Sequence, residues 1–191
     1  MATTLLYGGS FNPPTIAHVM TLKYAKDHIK NDRLIVFPTA YPPHKDKSKL
    51  DDDLRFEIAK KTFEEMGAAV SDIEFRLGGE SFTYRTLEYF KEQYEDISLL
   101  IGMDSFLSLP KWKNADMVVE LAKIIVLRRG GYELSEHELY LKNKSRFIFL
   151  DNPIFELSST FVRQELASGR DIRYYVTDTT YELLKGRENY V

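Results

Sequence analysis

Short runs of apolar residues recur along the chain, separated by longer stretches whose apolar positions repeat every three to four residues. The short runs predict buried strands, because a strand that is covered on both faces is continuously apolar. Five runs have this character: Thr4–Tyr7, Leu34–Phe37, Ile97–Ile101, Ile124–Leu127 and Phe147–Leu150. A sixth segment, Ile73–Arg76, alternates apolar and polar residues and predicts a weaker strand.

The longer stretches have the period of an α-helix, with apolar residues on one face. We predict helices from about Ala17 to Ile29, after the acidic caps Asp51–Asp53, and over Thr83–Tyr94, Ala115–Ala122, Thr160–Ala167 and Thr177–Lys185. Alternation of strands and helices is typical of a doubly wound α/β fold, a parallel sheet with helices on both faces. The predicted organisation is a single domain over residues 1–191, with a small C-terminal helical part from about residue 158.

Composition excludes several classes of protein. The chain has 26 basic and 29 acidic residues, a net charge of −3, so it lacks the basic excess expected of a protein that binds a nucleic-acid polymer. The absence of cysteine excludes disulfides and thiolate catalysis. No apolar run approaches the ~20 residues of a membrane helix, and no signal peptide is recognisable. We therefore expect a cytoplasmic protein that does not act on membranes.

Ligands of such sheets bind beyond the carboxyl ends of the strands, so the segments after the strands are where chemistry is expected. Gly8, Gly9 and Ser10 follow the first strand and lead into a helix that begins near Thr15. Backbone N–H groups at glycines and a helix N-terminus both favour a phosphate. Thr15 and His18 are i, i+3 neighbours and could share one phosphate. The alternative for His18 is a core position, since it shares a stripe with Leu22, Ala25 and Ile29.

Three further segments carry candidate binding residues. After the second strand, two prolines stiffen a loop that presents His44 and Lys45 to phosphate oxygens, whereas Lys47 and Lys49 are better explained as a solvated basic loop. Ser81 and Thr83 open a helix whose start favours a carboxylate, although, taken alone, they are better explained as an ordinary capped helix. Asp104 follows the strand at Ile97–Ile101 and is placed to accept a ribose hydroxyl or to align the water shell of a cation.

Aromatic residues are abundant, with 12 Phe and 12 Tyr but one Trp. Trp112, eight residues after Asp104, is suited either to stacking on an aromatic ligand or to packing. After the last strand, Ser158, Ser159 and Thr160 start a helix, and Arg163 lies three residues beyond Thr160. Hydroxyls, unpaired N–H groups and a guanidinium form a strong oxyanion site, whereas a simple Ser cap with a surface Arg is the alternative.

Together these segments resemble the nucleotidyltransferase superfamily with the HxGH or TxGH motif and, within it, the bacterial nicotinate-mononucleotide adenylyltransferases. GGSFNPPTIAH is similar to GGxFDPxHxGH, YPPHK to the PPHK loop and GMDSFLSLPKW to GxDxxxxLxxW. LSSTFVR is similar to ISSTxIR, and RYYVTDTTYELL to a C-terminal VPxxVxxYI pattern. The resemblance covers essentially the whole chain, and its motifs occur in order at plausible spacing.

The resemblance implies a Rossmann-like fold and transfer of AMP from ATP to a pyridine mononucleotide, with Mg²⁺ as cofactor held mainly by the ATP phosphates. His18, Lys45 and Arg163 would be catalytic. The ATP site implied by the motifs consists of Gly8, Gly9, Ser10, Thr15, His18, Ser159, Thr160 and Arg163. The acceptor site consists of His44, Lys45, Thr83, Thr86, Asp104 and Trp112, with Trp112 stacked on the pyridine ring and the two threonines near the pyridine carboxylate.

Four positions depart from the family pattern: Asn12 for Asp, Thr15 for His, Ala17 for Gly and Arg85 for Asp. Relatives that act on phosphopantetheine carry Thr at the position of Thr15, so a phosphopantetheine adenylyltransferase is one alternative function. A nucleotide-binding relative without catalytic activity is another. Tyr174, Tyr175 and Tyr190 would suit an interface in a homo-oligomer, and the sequence leaves open whether nicotinate or nicotinamide mononucleotide is preferred.

Overall fold

The sheet has the predicted parallel architecture. A computed structural model describes residues 2–41 and 52–187. In these residues all strand pairs are parallel, and the spatial order of the six strands is β3-β2-β1-β4-β5-β6. The strands are β1 (Thr3–Gly9), β2 (Arg33–Pro38), β3 (Ala69–Val70), β4 (Asp96–Gly102), β5 (Lys123–Leu127) and β6 (Phe147–Leu150). The order reverses direction at β1, so β1 and β4 flank the switch point at which such sheets bind ligands.

Helices connect successive strands and cover the sheet. They are α1 (Ile16–His28), α2 (Asp52–Glu64), α3 (Ile73–Leu77), α4 (Thr83–Lys91), α5 (Met103–Ser108), α6 (Ala115–Leu121), α7 (Glu138–Lys142), α8 (Ser159–Ala167) and α9 (Asp178–Leu184). Short 3₁₀ helices follow at Leu109–Lys111 and Lys144–Arg146. None of the helices in the described part of the chain combines the length and apolar character that a bilayer crossing requires.

One predicted strand is wrong. Ile73–Arg76 lies in α3, and the strand in this region is the two-residue β3 just before it. Alternation over four residues fits one helical turn as well as a strand, because Ile73 is buried and Leu77, one turn later, packs against the same core cluster. The sequence analysis also left out α5 and α7, which are only six and five residues long.

Apolar side chains form separate clusters on the two faces of the sheet and beneath the C-terminal helices. The third cluster joins Ile58 of α2 to Val162 and Leu166 of α8 and to Leu184 of α9. A buried hydrogen bond of 2.7 Å between the hydroxyls of Thr62 and Thr180 adds to this contact. The C-terminal helices are thereby anchored on α2, which places the start of α8 beside the carboxyl edge of the sheet.

Candidate functional site

Two helix N-termini meet at the turn that follows β1. Ser159 Oγ donates to the carbonyl of Pro13 at 2.8 Å, and Arg163 Nη1 donates to the carbonyl of Asn12 at 2.7 Å. Arg163 Nη2 also donates to Thr160 Oγ1 at 3.2 Å. The structure therefore brings together the two predicted phosphate segments, although they lie about 150 residues apart in the sequence.

His18 is held in one orientation by the start of its own helix. The backbone N–H of Thr15 donates to His18 Nδ1 at 3.0 Å, and Thr15 Oγ1 lies 2.8 Å from the same nitrogen. The ring also packs edge-on against Phe11, with 5.4 Å between the ring centroids. Because Nδ1 accepts a backbone hydrogen bond, the proton of the neutral ring resides on Nε2. His18 thus presents an N–H donor on the side of the ring opposite the cap.

Thr15 lies at the start of α1, beside His18, as predicted. Its side chain is fully buried, and its hydroxyl lies between His18 Nδ1 and the carbonyl of Leu157, 3.3 Å away. A buried hydroxyl with these neighbours orients the imidazole rather than offering a surface to phosphate. Thr15 thereby links the start of α1 to the segment that precedes α8.

The glycines of the turn are explained by close aromatic packing. A Cβ at Gly8 would lie 2.5 Å from the Phe37 ring, and one at Gly9 would lie 2.8 Å from the Phe11 ring. Both distances are shorter than real side chains tolerate, so any larger residue would displace a buried ring. The two glycines are thus required for packing in addition to the close approach of backbone to phosphate that the sequence analysis predicted.

Asp104 lies on the neighbouring strand-to-helix junction, in the first turn of α5. Its Oδ1 packs against Gly102, where a Cβ would lie 2.6 Å away, and its Oδ2 accepts a hydrogen bond from Arg129 at 2.7 Å. Oδ1 is buried and has no hydrogen-bond partner. A buried carboxylate oxygen without a partner is costly, so it marks a position where a donor from a ligand or its water shell would fit.

Sequence reasoning missed Arg129. It follows β5 directly, at the same edge of the sheet as Asp104, so the rule that found Asp104 also applies to it. With Arg128, Tyr132 and Ile154 it lines a cavity of about 340 Å³. The hydrogen bond from Arg129 therefore links the wall of this cavity to Asp104.

The predicted acceptor residues separate into a partly exposed group and a buried one. Trp112 is half-buried against the large core cluster, and its indole N–H donates to Ser108 Oγ at 3.4 Å. Thr83 is the first residue of α4 and is also half-buried. Thr86, by contrast, is 1% exposed, and its hydroxyl donates a hydrogen bond to the buried carboxylate of Glu74 at 2.9 Å. His44 and Lys45 lie outside the described residues.

Arg85 binds backbone carbonyls of the segment that precedes its own helix. Its guanidinium donates to the carbonyls of Leu77 at 3.2 Å, Gly78 at 3.1 Å and Glu80 at 3.5 Å. These carbonyls belong to the end of α3 and to the turn before α4. Arg85 therefore fixes the turn that leads into α4.

The described residues contain no group of three or more His, Asp or Glu side chains able to hold a metal ion. A divalent cation in this site would depend on phosphate oxygens for most of its ligands. Asp104 Oδ1 is compatible with that arrangement, because it can accept a hydrogen bond from a water bound to the ion.

The sequence profile of the cytidylyltransferase-like family matches residues 6–165. A probable nicotinate-nucleotide adenylyltransferase of Clostridium tetani is 32% identical over 194 residues, which cover 97% of each chain. One from Thermosipho melanesiensis is 35% identical over 176 residues, covering 90% of this chain and 89% of the relative. This chain belongs to the nicotinate-nucleotide adenylyltransferases, a branch of the cytidylyltransferase-like family.

Solved structures agree with this membership. A protein assigned as a nicotinate-nucleotide adenylyltransferase in Vibrio parahaemolyticus is 25% identical, with a TM-score of 0.71, over 100% of this chain and 96% of that one. A nicotinic acid mononucleotide adenylyltransferase of Plasmodium falciparum, solved in complex with NaAD, has the same fold, with a TM-score of 0.79 at 20% identity over 100% and 98% of the two chains. The predicted Rossmann-like fold and the predicted family are both confirmed.

Proposed function

We propose that this chain transfers AMP from ATP to nicotinate mononucleotide in NAD biosynthesis, forming deamido-NAD and pyrophosphate. The observation that supports the proposal is the meeting of α1 and α8 at the turn after β1, where Ser159 and Arg163 donate to the carbonyls of Pro13 and Asn12. Full-length similarity to nicotinate-nucleotide adenylyltransferases supports the choice of acceptor.

The reaction requires charge stabilisation rather than a general base. A phosphate oxygen of the mononucleotide, already an anion, forms a bond to the α-phosphorus of ATP. The bond between that phosphorus and the oxygen bridging to the β-phosphate breaks, and pyrophosphate leaves with the electron pair. The protein must align two highly charged groups and neutralise the negative charge that develops on the oxygens.

The side chains around the β1 turn are suited to this task. His18 donates from Nε2, since its Nδ1 is engaged by the N–H of Thr15. Arg163 adds a guanidinium beside Thr160, and the start of α8, which Ser158 Oγ caps at the Phe161 N–H, adds the positive end of a helix dipole. In our proposal His18 and Lys45 neutralise charge near the α-phosphate, whereas Ser159, Thr160 and Arg163 hold the β- and γ-phosphates.

On the acceptor side, Trp112 would stack on the pyridine ring and Thr83 would lie near its carboxylate. Asp104 would accept a hydrogen bond from a ribose hydroxyl or from the water shell of the cation, and His44 and Lys45 would contact the mononucleotide phosphate. Mg²⁺, held mainly by the ATP phosphates, would supply additional neutralisation of the leaving pyrophosphate.

The family departures are compatible with this function. The Thr15 hydroxyl lies against His18, the Arg85 guanidinium binds carbonyls of the turn before α4, and Ala17 is buried in α1. None of these positions removes His18, Arg163 or the start of α8 from the site. The homo-oligomer remains a prediction; Tyr174, one of the tyrosines proposed for its interface, is 83% exposed.

A pyrophosphate-release assay with ATP, Mg²⁺ and a panel of acceptors tests the proposal. We expect the highest kcat/KM with nicotinate mononucleotide, a lower value with nicotinamide mononucleotide and no release with phosphopantetheine. Preference for phosphopantetheine would establish the alternative enzyme. ATP binding in a calorimeter without release for any acceptor would establish a relative without catalytic activity.

Arg163→Ala supplies a matched test of the phosphate site. Loss of a hydrogen bond to a charged group costs about 1.5–3 kcal/mol, so kcat/KM for ATP should fall by about 10- to 100-fold. Arg170→Ala is the control, because Arg170 lies just after α8 and pairs at the surface with Glu165. Equal kcat/KM values for the two variants would show that Arg163 does not bind the ATP phosphates.

A further inference from the structure

Two charged side chains are buried in the described part of the protein, and both contact turns at the carboxyl edge of the sheet. Arg55 of α2 is 3% exposed and Glu74 of α3 is 5% exposed. Burial of an ion costs several kcal/mol unless hydrogen bonds satisfy it, and apolar side chains of similar volume usually stabilise a core at least as well. Stability alone therefore gives no reason for a charged pair at this place.

Arg55 collects backbone carbonyls from two strand-end turns. It donates to Ser10 at 3.1 Å, to Ala40 at 3.1 Å and to Thr39, and it pairs with Asp52 at 3.0 Å. Ser10 follows β1, and Thr39 and Ala40 follow β2. These carbonyls lie outside the ladder of the sheet, so a planar guanidinium with several donors satisfies them together.

Glu74 connects one of these turns to α4. Its carboxylate accepts from the N–H of Ala40 at 3.3 Å and from Thr86 Oγ1 at 2.9 Å. The Ser81 side chain lies near the same carboxylate and lowers its pKa. Burial raises the pKa of Glu74, while these three neighbours and the charge of Arg55 oppose that shift. The same carboxylate therefore lies against the turn after β2, the segment just before α4 and the first turn of α4.

A second link joins the same two segments. Tyr41 donates its N–H to Ser81 Oγ at 2.9 Å, and Ser81 returns its N–H to the carbonyl of Tyr41 at 2.9 Å. Ser81 thus holds the turn after β2 with its backbone and hydroxyl, and its side chain lies near Glu74. The start of α4, where Thr83 lies, has a position relative to β2 that depends on this network.

We propose that Arg55 and Glu74 are positioning residues for the adenylyl-transfer reaction, which fix the start of α4 and the turns after β1 and β2 in the geometry that binds substrate. The inference rests on the proposed function for its kinetic part. Glu74 contacts only the acceptor side, through Ala40, Ser81 and Thr86. Arg55 contacts both sides, because it also holds Ser10 in the turn of the ATP site.

This division predicts different kinetic effects for two conservative variants. Glu74→Gln keeps the size of the side chain but offers one acceptor oxygen in place of two. It should raise KM for nicotinate mononucleotide by about tenfold, the effect of one misplaced hydrogen bond to a charged group, with little change in KM for ATP. Arg55→Lys keeps the charge but cannot reach Ser10, Thr39 and Ala40 together, so it should raise both KM values.

Thr62→Val is the matched stability control. Thr62 lies on α2, seven residues after Arg55, and its buried hydroxyl bonds to Thr180 rather than to a strand-end turn. This variant should lower the Tm and leave both KM values unchanged. If Thr62→Val changes the acceptor KM as much as Glu74→Gln at equal loss of Tm, general destabilisation explains the effect and the inference is wrong.

Amide hydrogen exchange tests the same idea without any enzymatic activity. In Glu74→Gln the protection of the Ala40, Tyr41 and Ser81 amides should fall at least about tenfold, whereas amides within β4 keep their protection. Unchanged protection at these three amides would overturn the inference whatever the kinetics. Absence of pyrophosphate release by the wild-type protein would instead refute the proposed function and leave this measurement as the test of the network.

If Glu74→Gln does not fold, Ser81→Ala tests the same link, since Ser81 is only partly buried and loses one hydroxyl. It should raise the acceptor KM and reduce protection of the Tyr41 amide. No change in either quantity would refute the positioning role.

Discussion

Replacement of His18 by three different residues separates its two hydrogen-bonding atoms. In the structure Nδ1 accepts the N–H of Thr15 at 3.0 Å, and Nε2 is the donor that we assign to phosphate. An Asn side chain has an acceptor where Nδ1 lies and nothing at the position of Nε2. A Gln side chain places its amide nitrogen near Nε2 and loses the contact with Thr15. Ala removes both.

The expected magnitudes follow from these two contacts. Loss of one preorganised donor to a developing charge lowers kcat by about 10²- to 10³-fold. Loss of a helix cap costs about 1 kcal/mol of stability, which lowers the Tm by about 2–4 °C in a chain of this size. We therefore expect His18→Ala and His18→Asn to lose about 10²- to 10³-fold in kcat, with the Tm of His18→Asn retained, and His18→Gln to keep more activity at a lower Tm.

Pyrophosphate release at saturating ATP and nicotinate mononucleotide measures kcat, and calorimetric scans measure the Tm. His28→Ala is the control, because His28 ends the same helix, is exposed and stacks on Tyr24. Turnover of His18→Asn at the wild-type rate would show that the Nε2 donor is not used. His18 would then be a helix-capping residue, and its assignment to the phosphate would be wrong.

Three further predictions concern binding, stability and pH. Trp112→Ala should raise KM for the mononucleotide more than KM for ATP, and equal changes would indicate that Trp112 only packs. Leu184→Ala should lower the free energy of unfolding by about 2–5 kcal/mol because Leu184 is fully buried, whereas Leu134→Ala at an exposed position should have little effect; similar losses in chemical denaturation would contradict this reasoning. Burial lowers the pKa of His137, whose neutral form accepts the N–H of Tyr140. The stability that depends on this neutral form is present above the unfolded pKa of about 6.5 and is lost as the pH falls through the lower folded pKa. His137→Asn, which caps without titrating, should reduce this pH dependence of the Tm, and an unchanged dependence would exclude His137 as its source.

The sequence predicted the parts of the fold that depend on burial on both faces. Four of the five continuous apolar runs lie within the central strands β1, β2, β4 and β5, where the pattern has only one stable interpretation. Ile73–Arg76 was misjudged because four residues do not distinguish a strand from a helical turn. The two-residue β3 at the sheet edge has too little sequence to carry a pattern at all.

For the candidate site, the sequence identified residues in motifs that follow predicted strands, but not Arg129 after β5 and not the residues that act from the interior. His18, Ser159 and Arg163 follow strands in motifs and could be named in advance. The contacts of Thr15, Thr86 and Arg85 could not, because they depend on groups outside the motifs. These groups are the carbonyl of Leu157, the carboxylate of Glu74 and the carbonyls of the turn before α4. The role of Glu74 could not be predicted either, because Glu74 lies in the segment Ile73–Arg76, for which the sequence pattern predicts a strand.

The hydrogen bonds from Ser159 to Pro13 and from Arg163 to Asn12 span 146 and 151 residues. During synthesis all six strands precede α8, so the sheet can pair before the phosphate site exists. Contacts of such large sequence separation form slowly, because the entropy of closing the intervening chain must be overcome first. Recovery of activity on refolding should therefore lag behind recovery of the sheet, which makes turnover a reporter of the last docking step and not of chain collapse.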